Sequence, residues 1–140
     1  MKPDRELVVY WDASAVLSAL FRDTHSADAI RWSQREAVHL LSSLAWVEVQ
    51  AVIARLERER VIAEVLAAAA RDALASGPWR RLHGSPDWDQ AERLARRWPL
   101  RGADLWHLAL CKTLQPDLPE LVLLTFDGRL QAAAGGEGLA

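Results

Sequence analysis

Short apolar segments alternate with helical segments along the whole chain, and this alternation limits the possible folds more than any other feature. Residues 7–11 (LVVYW) and 121–124 (LVLL) are apolar at every position, which is typical of strands buried on both faces of a parallel sheet. Residues 37–41 and 79–82 are predicted as two further strands. Because helical segments separate these strands, the sequence predicts an α/β protein with three α/β/α layers and a central parallel sheet.

The longest predicted helix follows the second strand and covers residues 43–60, since Ser42 and Ser43 offer N-caps and apolar residues then recur at helical spacing. On this spacing we expect its buried side to carry Leu44, Val47, Ala51, Val52 and Leu56. Further helices are predicted over residues 13–21, 29–36, 61–74, 88–98 and 103–114, with a brief one after residue 127.

Length and composition limit the class of protein. A chain of 140 residues corresponds to one domain, so residues 1–140 are predicted to form a single domain. Seventeen basic and nineteen acidic residues give a net charge of −2, which argues against a protein that coats nucleic acid through its overall charge. The one cysteine, Cys111, leaves no internal disulfide. A charged start and the lack of a long apolar run predict a cytoplasmic protein that does not enter a membrane.

Four acidic residues occupy positions that a parallel sheet brings to one edge. Asp12 directly follows the first strand, and Asp127 follows the last. Glu48 lies about one turn into the helix after the second strand, and Asp104 lies in the first turn of the helix after residue 102. Ligands of parallel sheets bind beyond the carboxyl ends of the strands. We therefore expect the active site at this edge.

Each acid also has a structural interpretation. An Asp in the first helical turn commonly caps the helix, which applies to Asp12, Asp104 and Asp127. Glu48 stands in an apolar stretch and needs a partner, either a metal ion or a cation such as Arg55. If the four carboxylates converge, their repulsion favours a shared cation. Oxygen ligands without organised His or Cys favour Mg²⁺ or Mn²⁺, ions that activate water for phosphoryl transfer.

The four segments that carry these acids resemble, in order and spacing, the acidic motifs of PIN-domain ribonucleases, and the length of the chain is similar to that of VapC-type toxins of type II toxin–antitoxin modules. The segments are VYWDASAVL at residues 9–17, SLAWVEV at 43–49, GADLWHLA at 102–109 and LTFD at 124–127. The resemblance spans nearly the whole chain. One departure lies at the end, where residues 138–140 are all that remains of the strand that usually follows the last helix.

The resemblance implies a PIN-like fold and an Mg²⁺-dependent endoribonuclease, with Mn²⁺ as a second possible ion. It makes Asp12 and Asp104 the principal metal ligands, while Glu48 and Asp127 complete the acidic pocket directly or through water. It also implies an RNA substrate, a cognate antitoxin whose apolar segment lies in a groove between helices, and a homodimer. Ser14 and Thr125 match polar positions beside the acids, where a hydroxyl orients a carboxylate or caps a helix.

Other functions remain open. The same fold could serve RNA processing or decay without an antitoxin, or form a non-catalytic module that binds RNA or protein. Phosphatases that form an aspartyl phosphate require a second Asp where Ser14 stands, and receiver domains require a Lys where residues 125–127 stand, so both classes are disfavoured.

Several aromatic and basic residues remain outside the four motifs. His107 is predicted to pack and form hydrogen bonds in the core, although its spacing from Asp104 would also allow contact with that carboxylate. The arginines in loops or near helix starts, where RNA phosphates could pass, are Arg22, Arg81, Arg101 and Arg129. Trp46, Trp98 and Trp106 are expected to fill the core or an interface, and an exposed tryptophan could stack on a base.

Overall fold

A sheet of four parallel strands forms the centre of the computed structural model, which describes residues 6–140. The strands are β1 (Val8–Trp11), β2 (Val38–Ser42), β3 (Trp79–Leu82) and β4 (Leu121–Leu124), and they are arranged in the order β3-β2-β1-β4. Trp11 pairs with Leu41 of β2 and with Leu124 of β4. Because the strands are parallel and in register, their carboxyl ends form one edge.

Helices cover both faces of this sheet. One face packs against α1 (Ala13–Leu20), α2 (Ser26–Ser33), α3 (Ser43–Arg58) and α4 (Glu64–Ser76), and the other against α5 (Trp88–Arg97), α6 (Gly102–Leu114) and α7 (Gly128–Gly136). Val9 and Trp11 contact the first layer, whereas Val8 and Tyr10 contact the second. Successive strand residues point to opposite faces, so a strand that is covered by helices on both faces needs an apolar residue at every position. The predicted three-layer fold is confirmed. No helix within residues 6–140 is long and apolar enough to span a bilayer.

The buried side of α3 differs from the prediction. Ala45, Val49 and Ile53 face the core, whereas Val47 is 60% exposed and Ala51 is exposed as well. Ser42 Oγ accepts a hydrogen bond of 3.1 Å from the Ala45 amide, and this cap fixes the rotation of the helix relative to β2. Apolar residues occupy adjacent faces of α3, so periodicity alone could not identify the buried one. The prediction was wrong for Val47 and Ala51.

The last residues of the chain lie along the outer edge of β4. Leu139 is fully buried, and its carbonyl accepts a 2.8 Å hydrogen bond from the Leu123 amide. The Leu139 amide donates in turn to the carbonyl of Ala134 in α7, also at 2.8 Å. The short segment that the sequence leaves for a final strand therefore supplies a single backbone hydrogen bond to the sheet.

Glu137 joins the three helices on the second face of the sheet. Its side chain is only 3% exposed, and its carboxylate accepts hydrogen bonds from Trp98 Nε1 at 2.9 Å and from Arg93 at 3.0 Å. Arg97 lies 3.2 Å from the same carboxylate, and Lys112 Nζ donates to the Glu137 backbone carbonyl at 3.0 Å. A buried carboxylate needs such donors to stay ionised.

We expect the contribution of Glu137 to stability to depend on pH. Burial alone would raise the pKa of this carboxyl, but the hydrogen bonds from Trp98 and Arg93 and the charges of Arg93 and Arg97 lower the pKa below its ordinary value of 4.5. The folded protein thus holds fewer protons than the unfolded chain, and the stabilisation, present above about pH 4.5, is lost as pH falls through the lower pKa of the folded state.

The free energy of unfolding of Glu137→Gln is expected to be about 1.5 kcal/mol lower than that of the wild type at pH 7, because a charged acceptor is lost. Solvent screens part of this loss, since the arginines that contact the carboxylate are exposed. Urea titrations at pH 7 and pH 3.5 measure the difference, which should shrink at the lower pH. Glu92→Gln, which removes one carboxylate of an exposed ion pair on α5, is the control. An equal difference at both pH values would contradict the prediction.

Candidate active site

Asp12 lies at the end of β1, where three donors hold its carboxylate. The side chain is buried and caps α1, since Oδ1 accepts a 2.9 Å hydrogen bond from the Ala15 amide. Ser14 Oγ donates to Oδ1 at 2.7 Å, and Thr125 Oγ1 donates to Oδ2 at 2.6 Å. Burial raises the pKa of Asp12, and the hydrogen bonds from Thr125, Ala15 and Ser14 oppose that rise. Oδ2 accepts one of these bonds and so keeps a lone pair for another ligand.

The end of β4 brings Asp127 to the same edge. The Asp127 amide donates to Thr125 Oγ1 at 3.1 Å, and the Phe126 amide donates to Ser14 Oγ at 3.2 Å. The Asp127 carboxylate caps α7 by accepting a 3.0 Å hydrogen bond from the Leu130 amide. The hydroxyls of Ser14 and Thr125 therefore link the ends of β1 and β4. Because both also donate to the Asp12 carboxylate, they orient it.

Glu48 reaches this edge from α3 and contacts a buried histidine rather than Arg55. Glu48 Oε1 lies 2.7 Å from His107 Nε2, and His107 Nδ1 lies 2.6 Å from the Tyr10 hydroxyl. A carboxylate only accepts hydrogen bonds, so Nε2 donates to Glu48, while Nδ1 forms the contact with the Tyr10 hydroxyl. This chain of hydrogen bonds fixes the direction in which the Glu48 carboxylate points.

The roles of Tyr10 and of the His107–Glu48 contact were not predicted. His107 is buried, as expected for a core histidine, yet both of its ring nitrogens are used by polar side chains. Two signals were available in the sequence. A tyrosine in a strand buried on both faces needs a partner for its hydroxyl, and a Glu in an apolar helix needs a donor. Neither signal identifies the partner, because the three residues come from separate segments.

Asp104 lies in the first turn of α6 and lines an open cleft of about 490 Å³. The residues around this cleft are Leu100, Arg101, Asp104, Asp127, Gly128 and Arg129. Burial raises the pKa of Asp104, and the negative charges of Asp127 and Asp12 raise it further. Unlike Asp12 and Asp127, Asp104 caps no helix, since α6 has no side-chain cap.

The structure brings the four predicted acids to one edge of the sheet without forming a closed cage. Within residues 6–140, no three His, Cys, Asp or Glu side chains are already grouped as metal ligands. The donor set still fits Mg²⁺, which commonly takes one or two carboxylates and fills its other positions with water and phosphate oxygens. The mutual repulsion that raises the pKa of Asp104 would be relieved by such an ion. That these acids act as ligands stays a prediction.

Two of the four arginines named from the sequence lie beside these acids, whereas Arg81 lies within β3 and not in a loop or near a helix start, so that prediction was wrong for Arg81. Arg101 and Arg129 both line the cleft that contains Asp104 and Asp127, which places guanidinium groups next to carboxylates. Planar guanidinium groups bind phosphate oxygens in pairs. The cleft therefore combines oxygen donors for a cation with cationic groups for a phosphate.

The crowding of the acids makes a prediction for the metal-free protein. The pKa of Asp104 is raised in the folded state, so folding is disfavoured as pH rises from about 4, where the unfolded chain loses this proton first. Asp104→Asn is expected to increase the free energy of unfolding by up to about 1 kcal/mol in EDTA at pH 7. Thermal melts in EDTA measure this, and the gain should vanish near pH 3. A variant that melts at a lower temperature than the wild type at pH 7 would contradict the crowding.

Comparison with known sequences finds one family over nearly the whole chain. The sequence profile of the PIN domain matches residues 9–136. The chain is 37% identical over 141 residues to Ribonuclease VapC45 of Mycobacterium tuberculosis, and the match covers 94% of this chain and 92% of that protein. The match therefore extends over all four acidic segments.

Two solved structures are similar in fold. The Mycobacterium tuberculosis toxin VapC20, described as cleaving the sarcin–ricin loop, has a TM-score of 0.60 and 20% identity, over 89% of this chain and 94% of that one. VapBC2 from Rickettsia felis, bound to a DNA fragment from its promoter, has a TM-score of 0.58 and 10% identity, over 86% of this chain and 100% of that one. At these identities the structures support the fold alone.

Proposed function

The chain belongs to the PIN domain family and is a ribonuclease of the VapC type, and from this premise we propose that it is an Mg²⁺-dependent endoribonuclease and the toxin of a toxin–antitoxin pair. The observation that carries the proposal is the convergence of Asp12, Glu48, Asp104 and Asp127 at the carboxyl edge of the sheet. Helix capping accounts for two of these acids but not for Asp104, whose pKa is raised by burial and by its acidic neighbours.

The chemistry is hydrolysis of an RNA phosphodiester, in which water attacks phosphorus and the bond to the leaving oxygen breaks. A bound divalent ion would activate the water and stabilise the leaving oxygen, with Asp12 and Asp104 as its principal ligands. Thr125 and Ser14 hold Asp12 in place, and His107 holds Glu48. No thiol nucleophile is available from Cys111, because the side chain is fully buried and burial raises its pKa well above the ordinary value.

Arg101 and Arg129 are suited to bind the RNA backbone near the reacting phosphate, since both line the cleft of Asp104. Their charge also offsets that of the acids, so a polyanion can approach an edge rich in carboxylates. The net charge of the whole chain is −2, and RNA binding must therefore come from such local groups.

Cleavage of purified RNA tests the proposal. The wild-type protein is incubated with total RNA in Mg²⁺ or in EDTA, and the Asp104→Asn variant is incubated with the same RNA in Mg²⁺. The ends of the products are then mapped. We expect internal cuts only by the wild-type protein in Mg²⁺. Calorimetry with Mg²⁺ separates the enzyme from a non-catalytic module, because only the enzyme requires ion binding that Asp104→Asn abolishes. A small neighbouring gene whose product inhibits cleavage separates the toxin from an RNA-processing nuclease of the same fold.

An exposed apolar surface supports the proposed protein partners. Val61, Val65 and Leu66, from the loop between α3 and α4 and the first turn of α4, are between 55% and 72% exposed, and apolar side chains exposed close together are typical of protein contacts. We propose that this surface is the homodimer contact. Val65→Glu combined with Leu66→Glu is expected to give a monomer in sedimentation experiments. A variant that stays dimeric but no longer copurifies with the coexpressed antitoxin would assign the surface to the antitoxin instead.

A further inference from the structure

A second cleft opens at the carboxyl edge of the sheet, beside β2 and β3. It has a volume of about 190 Å³ and is lined by Leu41, Ser42, Ser43, Trp46, Arg81, Leu82 and His83, and we refer to it as the Trp46 cleft. It does not share a lining residue with the cleft of Asp104 and Asp127. Leu41 lines the cleft and pairs with Trp11 of β1, the residue directly before Asp12, so the Trp46 cleft adjoins the acids on the side away from β4.

Two planar side chains stack in this cleft. The Arg81 guanidinium lies 4.7 Å from the centre of the Trp46 ring and stacks over it. Trp46 is half-buried and packs against the core, so its ring is held from behind. Arg81 is exposed, which leaves the outer side of the stack open to a further planar group. Tryptophan and arginine side chains are the groups on which unpaired RNA bases stack.

The charge of the Trp46 cleft also favours a nucleotide. Arg81 is a permanent cation, and the exposed His83 adds a ring N–H that can donate a hydrogen bond. None of the seven described residues that line the cleft is acidic, whereas two aspartates line the neighbouring cleft. The Trp46 cleft is thus suited to an anionic ligand with a flat ring.

We propose that the Trp46 cleft binds the base of one unpaired nucleotide that flanks the cleaved phosphate, with Arg81 stacked on that base. The assignment rests on the proposed function, because it takes RNA to be cut at the neighbouring acids. A base held here fixes which phosphate reaches Asp12 and Asp104. Trp46 and Arg81 therefore select the position of the cut and contribute to binding, while the acids carry out the reaction.

The experiment measures binding of a short single-stranded RNA to the Asp104→Asn protein, which should bind without cutting. Adding Trp46→Ala is expected to weaken binding roughly tenfold to a hundredfold, the usual loss when one stacking aromatic is removed. Trp46→Phe keeps a ring and should restore most of the affinity. Arg81→Lys keeps the charge but removes the planar group, and should weaken binding without disturbing the core. Trp88→Ala, which removes a tryptophan that is 91% exposed on α5, is the matched control.

Replacing single nucleotides of the RNA by abasic ones identifies the bound base. We expect one position to matter for the wild-type cleft and to become neutral in Trp46→Ala. Equal affinities of Trp46→Ala, Arg81→Lys and the control would overturn the assignment, and so would loss of antitoxin binding with RNA affinity unchanged. The two proposals fail separately. RNA binding that depends on Trp46 in a wild-type protein that cuts no RNA supports the cleft and overturns the nuclease.

Discussion

Asp104→Asn is expected to reduce RNA cleavage at least about a thousandfold, which corresponds to about 4 kcal/mol of transition-state stabilisation. Asp104 is a predicted ligand that caps no helix, and its pKa is raised by burial and by the charges of neighbouring aspartates. Asparagine keeps the shape of the side chain and removes the charge. Initial cleavage rates at saturating Mg²⁺ measure the loss, and circular dichroism confirms that the variant is folded.

Asp117→Asn is the matched control, because Asp117 is exposed beyond the opposite end of α6. It should cleave at the wild-type rate. Asp12→Asn is expected to lose activity to a similar extent while keeping the cap of α1, since an asparagine oxygen still accepts from the Ala15 amide. Cleavage by Asp104→Asn within tenfold of the wild type would show that this acid is not a ligand in the reaction.

His107→Leu is expected to reduce cleavage by roughly tenfold to a hundredfold, the usual cost of removing a group that orients a metal ligand. His107 is buried and holds Glu48 at 2.7 Å, and Tyr10 holds His107 at 2.6 Å. It is a positioning residue. His107→Gln retains a donor that can reach Glu48 and should recover part of the activity. The half-maximal Mg²⁺ concentration should rise in His107→Leu and return toward the wild-type value in His107→Gln.

Loss of a buried histidine also destabilises the protein, so this variant needs its own control. His39 is buried and accepts a 2.9 Å hydrogen bond from Trp11 Nε1, but contacts none of the acids. His39→Leu should lower the melting temperature in the way that His107→Leu does, with an unchanged Mg²⁺ requirement. If both variants lose the same activity with the same Mg²⁺ requirement, His107 has only a structural role.

Much of the fold could be predicted because local patterns and the sheet agree. β4 was predicted at its observed bounds, since a run of four apolar residues is too short for a typical helix and is typical of a strand buried on both faces. That Asp12 and Asp127 lie at the same edge could be predicted from parallel pairing alone, because each residue follows one of two neighbouring strands. The face of α3 could not be predicted in this way. It depends on how the cap at Ser42 orients the helix over β2, which is a tertiary effect.

The site could be predicted only as a set of positions. The acids stood out because four carboxylates gathered at one edge of a parallel sheet repel one another unless they share a cation. The residues that form hydrogen bonds with these acids could not be predicted. His107 and Glu48 are 59 positions apart in the sequence, and Thr125 and Asp12 are 113 positions apart. Such contacts form after the layers pack and leave no periodic pattern. The stacked pair of Trp46 and Arg81 is of the same kind, with each residue unremarkable within its own segment.

Asp12 and Asp127 each begin a helix, α1 on one face of the sheet and α7 on the other. A ligand that binds both carboxylates therefore affects the first turns of two helices that pack in different cores. Amide hydrogen exchange at Ala15 and Leu130, whose N–H groups are bound by those carboxylates, would then report occupancy of the edge from both sides of the molecule at once.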